Sequence, residues 1–189
     1  MKKILVVIDM QNDFITGSLG TKEAQAIVYN VVAKINEYRE YEDSEIYVTK
    51  DTHYDNYLET QEGINLPIKH CIYDTDGWNI QSDVNRALMN YCSDKKNKSI
   101  KTYEKETFGS VSMADCMYID YYFEQDDIEI EFIGLCTDIC VISNVLCVKA
   151  NLPEVKIVVD ASCCAGVTPR SHKNALESMK MCQVKIINE

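Results

Sequence analysis

The chain of 189 residues lacks a surplus of positive charge: 19 Lys and Arg stand against 30 Asp and Glu, a net charge of -11. Nucleic acids and anionic membrane surfaces are held by clustered Lys and Arg, so neither is an expected partner. A membrane-length apolar run is also missing. The run from Ile4 to Ile8, behind Lys2 and Lys3, is too short for the apolar part of a secretion signal, and Asp9 ends it. No internal repeat, low-complexity tract or linker interrupts the pattern, so residues 1–189 are expected to form one domain. Histidine is scarce, at three, and there is one tryptophan.

Cysteine, by contrast, is abundant. Nine is an odd number, so at least one thiol stays outside any intramolecular disulfide scheme. Without a secretion signal the nine read as reduced thiols of a cytoplasmic protein. Most are expected to be buried, because free Cys packs as a small apolar residue.

Apolar, β-branched runs recur along the chain with helical patterns between them. "ILVVI" (4–8), "IYVT" (46–49), "IEIEFI" (128–133) and "VKIVV" (155–159) predict strands, with "SIKTYEK" and "VKII" as weaker ones. Helical spacing links Ile27, Val31, Ile35 and Tyr38, then Val84, Leu88 and Tyr91, then Met113, Met117 and Tyr121. Thr168 as N-cap and Pro169 at the first helical position start a further helix. Strands alternating with helices predict a doubly wound α/β fold, a mainly parallel sheet with helices on both faces.

In such sheets, ligands bind at the carboxyl ends of the strands. Four polar clusters close four apolar runs there. The first holds Asp9, the second Asp51 and His53, the third Lys105, and the fourth is "GLCTDICV" with Cys136 and Cys140. A zinc clip would need a second ligand pair nearby, and a thioredoxin-type couple has two intervening residues, not three. That leaves a nucleophile. The segment after Ile139 predicts a buried helix starting at about Cys140, where free N–H groups and the macrodipole favour a thiolate. Gly134 permits a tight turn whose N–H groups can receive an oxyanion. Cys136 is set back toward the strand, so Cys140 is the nucleophile. His172 reads as part of a solvated helix face, so Asp9 is the expected base. Lys105 would keep Asp9 ionised and stabilise negative charge on sulfur or substrate oxygen.

These residues resemble the isochorismatase-like cysteine hydrolases. "VVIDMQNDF" with Asp9, "YEKETF" with Lys105 and "GLCTDICV" with Cys140 are similar to that family's Asp-Lys-Cys triad. "DTH" and "LPIKHC" add Asp51, His53 and His70, which resemble the metal site of the nicotinamidase branch. The motifs run in order from residue 5 to residue 141, and "VVDASCCAGVTPRSH" looks like the family's next strand and helix.

The resemblance implies a Rossmann-like, doubly wound sheet and a small amide as substrate. Asp9 would take the thiol proton of Cys140, the thiolate would attack the amide carbonyl, ammonia would leave, and water would hydrolyse the thioester. It further implies an oxyanion hole from the N–H groups of Cys136 and Cys140, beside a cis peptide between Leu135 and Cys136. Asp51, His53 and His70, with Glu62 as an additional ligand, would hold one divalent ion, zinc first and iron or manganese as alternatives. Phe14 is similar to the aromatic that covers the bound ring. Nicotinamide and pyrazinamide are the implied substrates, in cytoplasmic NAD salvage by a homo-oligomer. One departure stands out. Many nicotinamidases carry a tryptophan just before the third metal ligand, whereas "NLPIKHC" has none and Trp78 lies downstream.

The alternatives are another amidohydrolase of the superfamily, acting on a different small amide, and a non-enzymatic thiol or metal sensor. Asp51, His53 and His70 argue against the branch that makes no use of a metal. Cys140 argues against a true isochorismatase, which cleaves a vinyl ether without a nucleophilic cysteine.

Overall fold

The first strand, β1 (Lys2–Ile8), sends Ile4, Val6 and Ile8 to one apolar cluster and Leu5 and Val7 to another. Side chains alternate along a strand, so a run that is apolar at every position must be covered on both faces. In the computed structural model, which describes residues 1–93 and 98–189, this is what surrounds it. The other strands are β2 (Ser44–Asp51), β3 (Ile100–Lys105), β4 (Ile128–Leu135), β5 (Lys156–Ala165) and β6 (Lys185–Ile187). They form one six-stranded sheet in the order β3-β2-β1-β4-β5-β6, and every pairing is parallel. The expected doubly wound fold is present.

Two short helices, α1 (Asn12–Ile15) and α3 (Gln61–Asn65), lie in the connections that follow β1 and β2. Two longer ones, α2 (Lys22–Glu40) and α4 (Ser82–Ser93), cover the face of Leu5 and Val7 with Val31, Ile35, Val84 and Leu88. The opposite face is covered by α5 (Val111–Tyr121), α6 (Ile142–Asn151) and α7 (Pro169–Met181), through Met113, Met117, Val145 and Leu176. No helix among the described residues is long and apolar enough to cross a membrane.

Several strands run past their apolar cores. β2 continues through Thr49, Lys50 and Asp51 because their backbones pair with both β1 and β3 up to Thr49 and with β3 beyond it. β5 runs on through "DASCCA", with a bulge opposite Phe132 and Gly134 that lets a polar segment stay in the ladder. A buried polar group joins α2 to the sheet. Lys34 lies 3.0 Å from Glu131 and 3.1 Å from Asp160, and the Tyr38 hydroxyl donates to Glu131 at 2.8 Å.

The start of α7 is as predicted. Thr168 Oγ1 accepts from the Ser171 N–H at 3.1 Å, and Ser171 Oγ accepts from the Thr168 N–H at 3.1 Å, a reciprocal cap with Pro169 in the first turn. Thr168→Ala should therefore lower unfolding stability by about 1 kcal/mol. Urea denaturation would show this as an earlier midpoint with an unchanged slope.

Candidate active site

Four strand ends converge at the crevice between β1 and β4, where the strand order reverses. β1 ends as the backbone of Asp9 turns left-handed, at φ 47°. Asp tolerates this region better than most residues. The Asp9 N–H still donates to the Thr49 carbonyl at 3.2 Å, and Thr49 Oγ1 donates to Asp9 Oδ1 at 2.6 Å. Oδ2 meets Lys105 Nζ at 2.7 Å. The same ammonium lies 3.3 Å from Asp51 Oδ1 and 3.6 Å from Cys140 Sγ. Asp9, Lys105 and Cys140 are thus brought together, at 0%, 5% and 5% exposure.

Burial raises the Asp9 carboxyl above its ordinary range, with Lys105 opposing. Burial works against the Lys105 ammonium, but Asp9, Cys140 and Asp51 together hold its pKa well above the usual value. Burial also pushes the Cys140 thiol well up, and Lys105 offsets it in part. Burial thus opposes the ionisation that the helix start favours, and the Cys140 proton calls for a base, the role expected of Asp9. A carboxylate made more basic beside it suits proton removal.

The turn that carries Cys140 also differs from expectation. Helical winding begins at Thr137, three residues early, as one wide π turn over Thr137–Val141, with the Val141 N–H donating to the Cys136 carbonyl at 3.0 Å. Cys136 precedes the winding and packs toward the α2 and α4 face, whereas Cys140 belongs to the opposite cluster. Their four-residue spacing does not make them a same-face pair. The Leu135–Cys136 peptide is cis, as implied. Gly134, at φ 119°, is required: a Cβ there would lie 2.1 Å from the Ile8 carbonyl oxygen. All nine cysteines are free. Four of the nine, Cys71, Cys140, Cys163 and Cys164, are buried, so the expectation that most are buried does not hold: Cys116, Cys136 and Cys147 are half-buried, and Cys92 and Cys182, at helix and helix-end positions, are exposed.

Asp51, His53, Glu62 and His70 form a second cluster whose ligand atoms lie within 4.8 Å of one another. Asp51 Oδ2 is 3.0 Å from His53 Nε2 and 3.4 Å from His70 Nε2, and Glu62 Oε1 is 3.6 Å from each imidazole. Thr60 caps α3 by accepting from the Gly63 N–H at 3.0 Å, which brings Glu62 to the histidines. His70 Nδ1 lies 2.9 Å from the Ile68 carbonyl, which can only accept, so Nδ1 carries the proton and Nε2 presents a lone pair.

Both clusters open on a cavity of about 850 Å³. Phe14 lines it, its ring 5.5 Å from that of His70, together with Leu19, Leu66, Phe108 and Ile139. Trp78 does not line it; its indole N–H donates to Thr52 Oγ1 at 2.9 Å. His172 is half-buried and not on a solvated face, because the first turn of α7 packs on the π turn and His172 Nδ1 lies 2.8 Å from Thr137 Oγ1.

Three supports were not foreseen. Gln11 accepts from the Asp51 N–H at 2.7 Å and donates to the Asp51 carbonyl at 2.8 Å. Thr49 holds Asp9. Asn144 accepts from the Ser110 N–H at 2.9 Å and donates to the Cys140 carbonyl at 2.8 Å, tying the nucleophile's turn to the loop that carries Phe108.

The isochorismatase domain family matches residues 3–188. The chain belongs to that family. No curated protein matches this isochorismatase-family chain in sequence. Among solved structures, it is similar to a nicotinamidase/pyrazinamidase from Bacillus subtilis at 22% identity, with all of both chains covered and a TM-score of 0.82. It also resembles a pyrazinamidase of Pyrococcus horikoshii in complex with zinc, at 22% identity, full coverage of both chains and a TM-score of 0.77. An N-carbamoylsarcosine amidase from Thermoplasma acidophilum aligns at 21% identity over 98% of this chain and 95% of that one, with a TM-score of 0.70. At these identities the likeness is one of fold.

The acidic and imidazole cluster suits a divalent ion on its own geometry. His53 Nε2 is buried and has no hydrogen-bond partner among the described residues, with Asp51 Oδ2 in ion-pair range at 3.0 Å. Such an orphaned ligand atom is costly unless something occupies its lone pair. Elemental analysis of the purified protein should find about one divalent ion per chain. His53→Ala should lose it, with a lower melting temperature that added metal no longer raises.

Proposed function

We propose that this protein is a nicotinamidase-like amidohydrolase, cleaving nicotinamide or pyrazinamide to the acid and ammonia. The observation that carries the reading is the position of Lys105 Nζ, within 3.6 Å of Asp9, Asp51 and Cys140 at once. In this reading residues 1–189 work as one domain. Asp9, which burial makes more basic, accepts the Cys140 proton as the sulfur attacks the amide carbonyl. The N–H groups of Cys136 and Cys140 receive the oxyanion. Asp9 returns the proton to departing ammonia and then activates the water that hydrolyses the thioester. Lys105 keeps a positive charge beside both the carboxylate and the sulfur throughout.

Asp51, His53, Glu62 and His70 would hold a divalent ion, zinc before iron or manganese. When bound, the ion supplies a Lewis-acidic position for the nitrogen of a heteroaromatic ring. Phe14 covers that ring, and apolar Leu66 and Ile139 take the place of the missing tryptophan in shielding it from water. Nine free cysteines suit the reducing cytoplasm, where such an amidase serves NAD salvage, as a homo-oligomer.

Ammonia release tests the nucleophile. Cys140→Ala should fall to background, and Cys136→Ala should keep a measurable rate. Near wild-type release by Cys140→Ala would end the covalent mechanism. Thiol labelling separates an enzyme from a sensor: substrate should protect Cys140 while exposed Cys92 and Cys182 stay reactive.

Substrate choice is tested by the ring. Benzamide lacks the ring nitrogen, and an unfilled polar partner typically costs about 1–3 kcal/mol. The kcat/KM for nicotinamide should exceed that for benzamide by about tenfold or more. Equal values would leave the enzyme a cysteine amidohydrolase of another small amide.

A further inference from the structure

Behind Asp51, on the reverse face of the sheet, lies a second cleft. Side chains alternate along β2, so Thr49 and Asp51 face the active site while Val48 and Lys50 face α4. The cleft encloses about 490 Å³ between α4 and the outer edge of the sheet. Val48, Leu88 and Ile100 give it apolar walls, and the exposed side chains of Asn79 and Asn85 stand at its rim.

Lys50 lines this cleft at 9% exposure, yet among the described residues no carboxylate lies within ion-pair distance of it. The stem of Lys50 is buried, while its Nζ keeps solvent access. Its nearest acidic neighbour, Glu104, stands opposite on β3 but is exposed and does not reach it. Instead Nζ lies over the face of the Trp78 ring. An aromatic face attracts a cation from one side only, which leaves N–H donors for a partner in the cleft.

We infer that this cleft is a second binding site, taking a small organic carboxylate whose charge meets Lys50 and whose apolar body lies between α4 and β2–β3. One ammonium with amide donors at the rim matches a monoanion, and a phosphate dianion would call for more cations than the cleft provides. The apolar walls exclude a bare inorganic ion as the fitting occupant. The site is close to the catalytic machinery through the backbone: Gln11 Nε2 donates both to the Trp78 carbonyl at 2.9 Å and to that of Asp51 at 2.8 Å.

Trp78 is the only tryptophan and its ring lies against Lys50, so its selectively excited emission senses this cleft, and the Lys50 variant separates that response from binding in the main cavity. Titration of the intact protein with benzoate should give a saturable change in Trp78 emission, with calorimetry as an independent measure. Lys50→Met keeps an unbranched apolar stem, removes the ammonium and should weaken benzoate by about tenfold or more. Glu104→Gln, at an exposed position, should bind benzoate at least as tightly as the wild type. Benzyl alcohol, the neutral counterpart, should give no comparable binding. The proposal is overturned if wild-type emission shows no saturable response, if Lys50→Met binds as the wild type does, or if benzyl alcohol binds as tightly as benzoate. None of these measurements depends on amide turnover.

Discussion

The ammonium of Lys105 sits where two strands and a turn would otherwise bury negative or sulfur-bearing groups against each other. Asp9 closes β1, Asp51 closes β2, and Cys140 rides on the turn after β4, and all three face the one cation. Two carboxylates at this depth stay charged only beside a positive partner. Removing one member of such a buried group typically costs about 3–5 kcal/mol, because the others are left uncompensated. The edge strand β3 therefore does more than extend the sheet. It delivers the charge that lets the ends of β1 and β2 come together in a dry site.

Much of this was legible because parallel sheets impose a simple rule. Runs such as "ILVVI" are apolar at every position, and the polar residue that ends each run must lie at the sheet's carboxyl edge. Asp9, Asp51 and Lys105 follow from that rule. β3 was the weaker expectation since its burial alternates, with Thr102 and Glu104 turned to solvent at the sheet edge. Gln11, Thr49 and Asn144 were not legible for a different reason. Each makes at least one hydrogen bond to a group 34 to 40 positions away, and no local pattern marks that long-range partner. His172 was misread because the pattern of α7 does not show that its first turn packs on Thr137. The depth at which Cys140 is buried, which opposes the ionisation its helix start favours, was not legible in local spacing.

The two faces of the sheet divide the work. The cluster beneath α5, α6 and α7 holds the nucleophile's turn, with Cys140 and Val141 packed among Val145 and Met113. The cluster beneath α2 and α4 supports the opposite wall, where Phe14 and Leu19 meet the cavity. Gly134 lies at the crossing point, where the β4 backbone passes so close to Ile8 that no side chain fits. That close approach sets the distance between Asp9 and the turn that follows β4.

Asp51 joins chemistry to recognition. Its Oδ1 faces the Lys105 ammonium at 3.3 Å, and its Oδ2 faces His53 and His70 at 3.0 and 3.4 Å. One carboxylate thus balances charge in the triad and contributes to the ligand cluster that would orient a ring. Gln11 fixes its backbone from both sides, through the N–H and the carbonyl, so neither oxygen can serve one cluster by abandoning the other. In the proposed reading, a substrate held by the ligand cluster would be held in register with the sulfur. The shared carboxylate would, in that reading, let the ring-facing wall differ while the Asp9, Lys105 and Cys140 cluster kept its arrangement. The trio depends on Oδ1, and the wall on Oδ2 and the loop that brings Glu62 and His70.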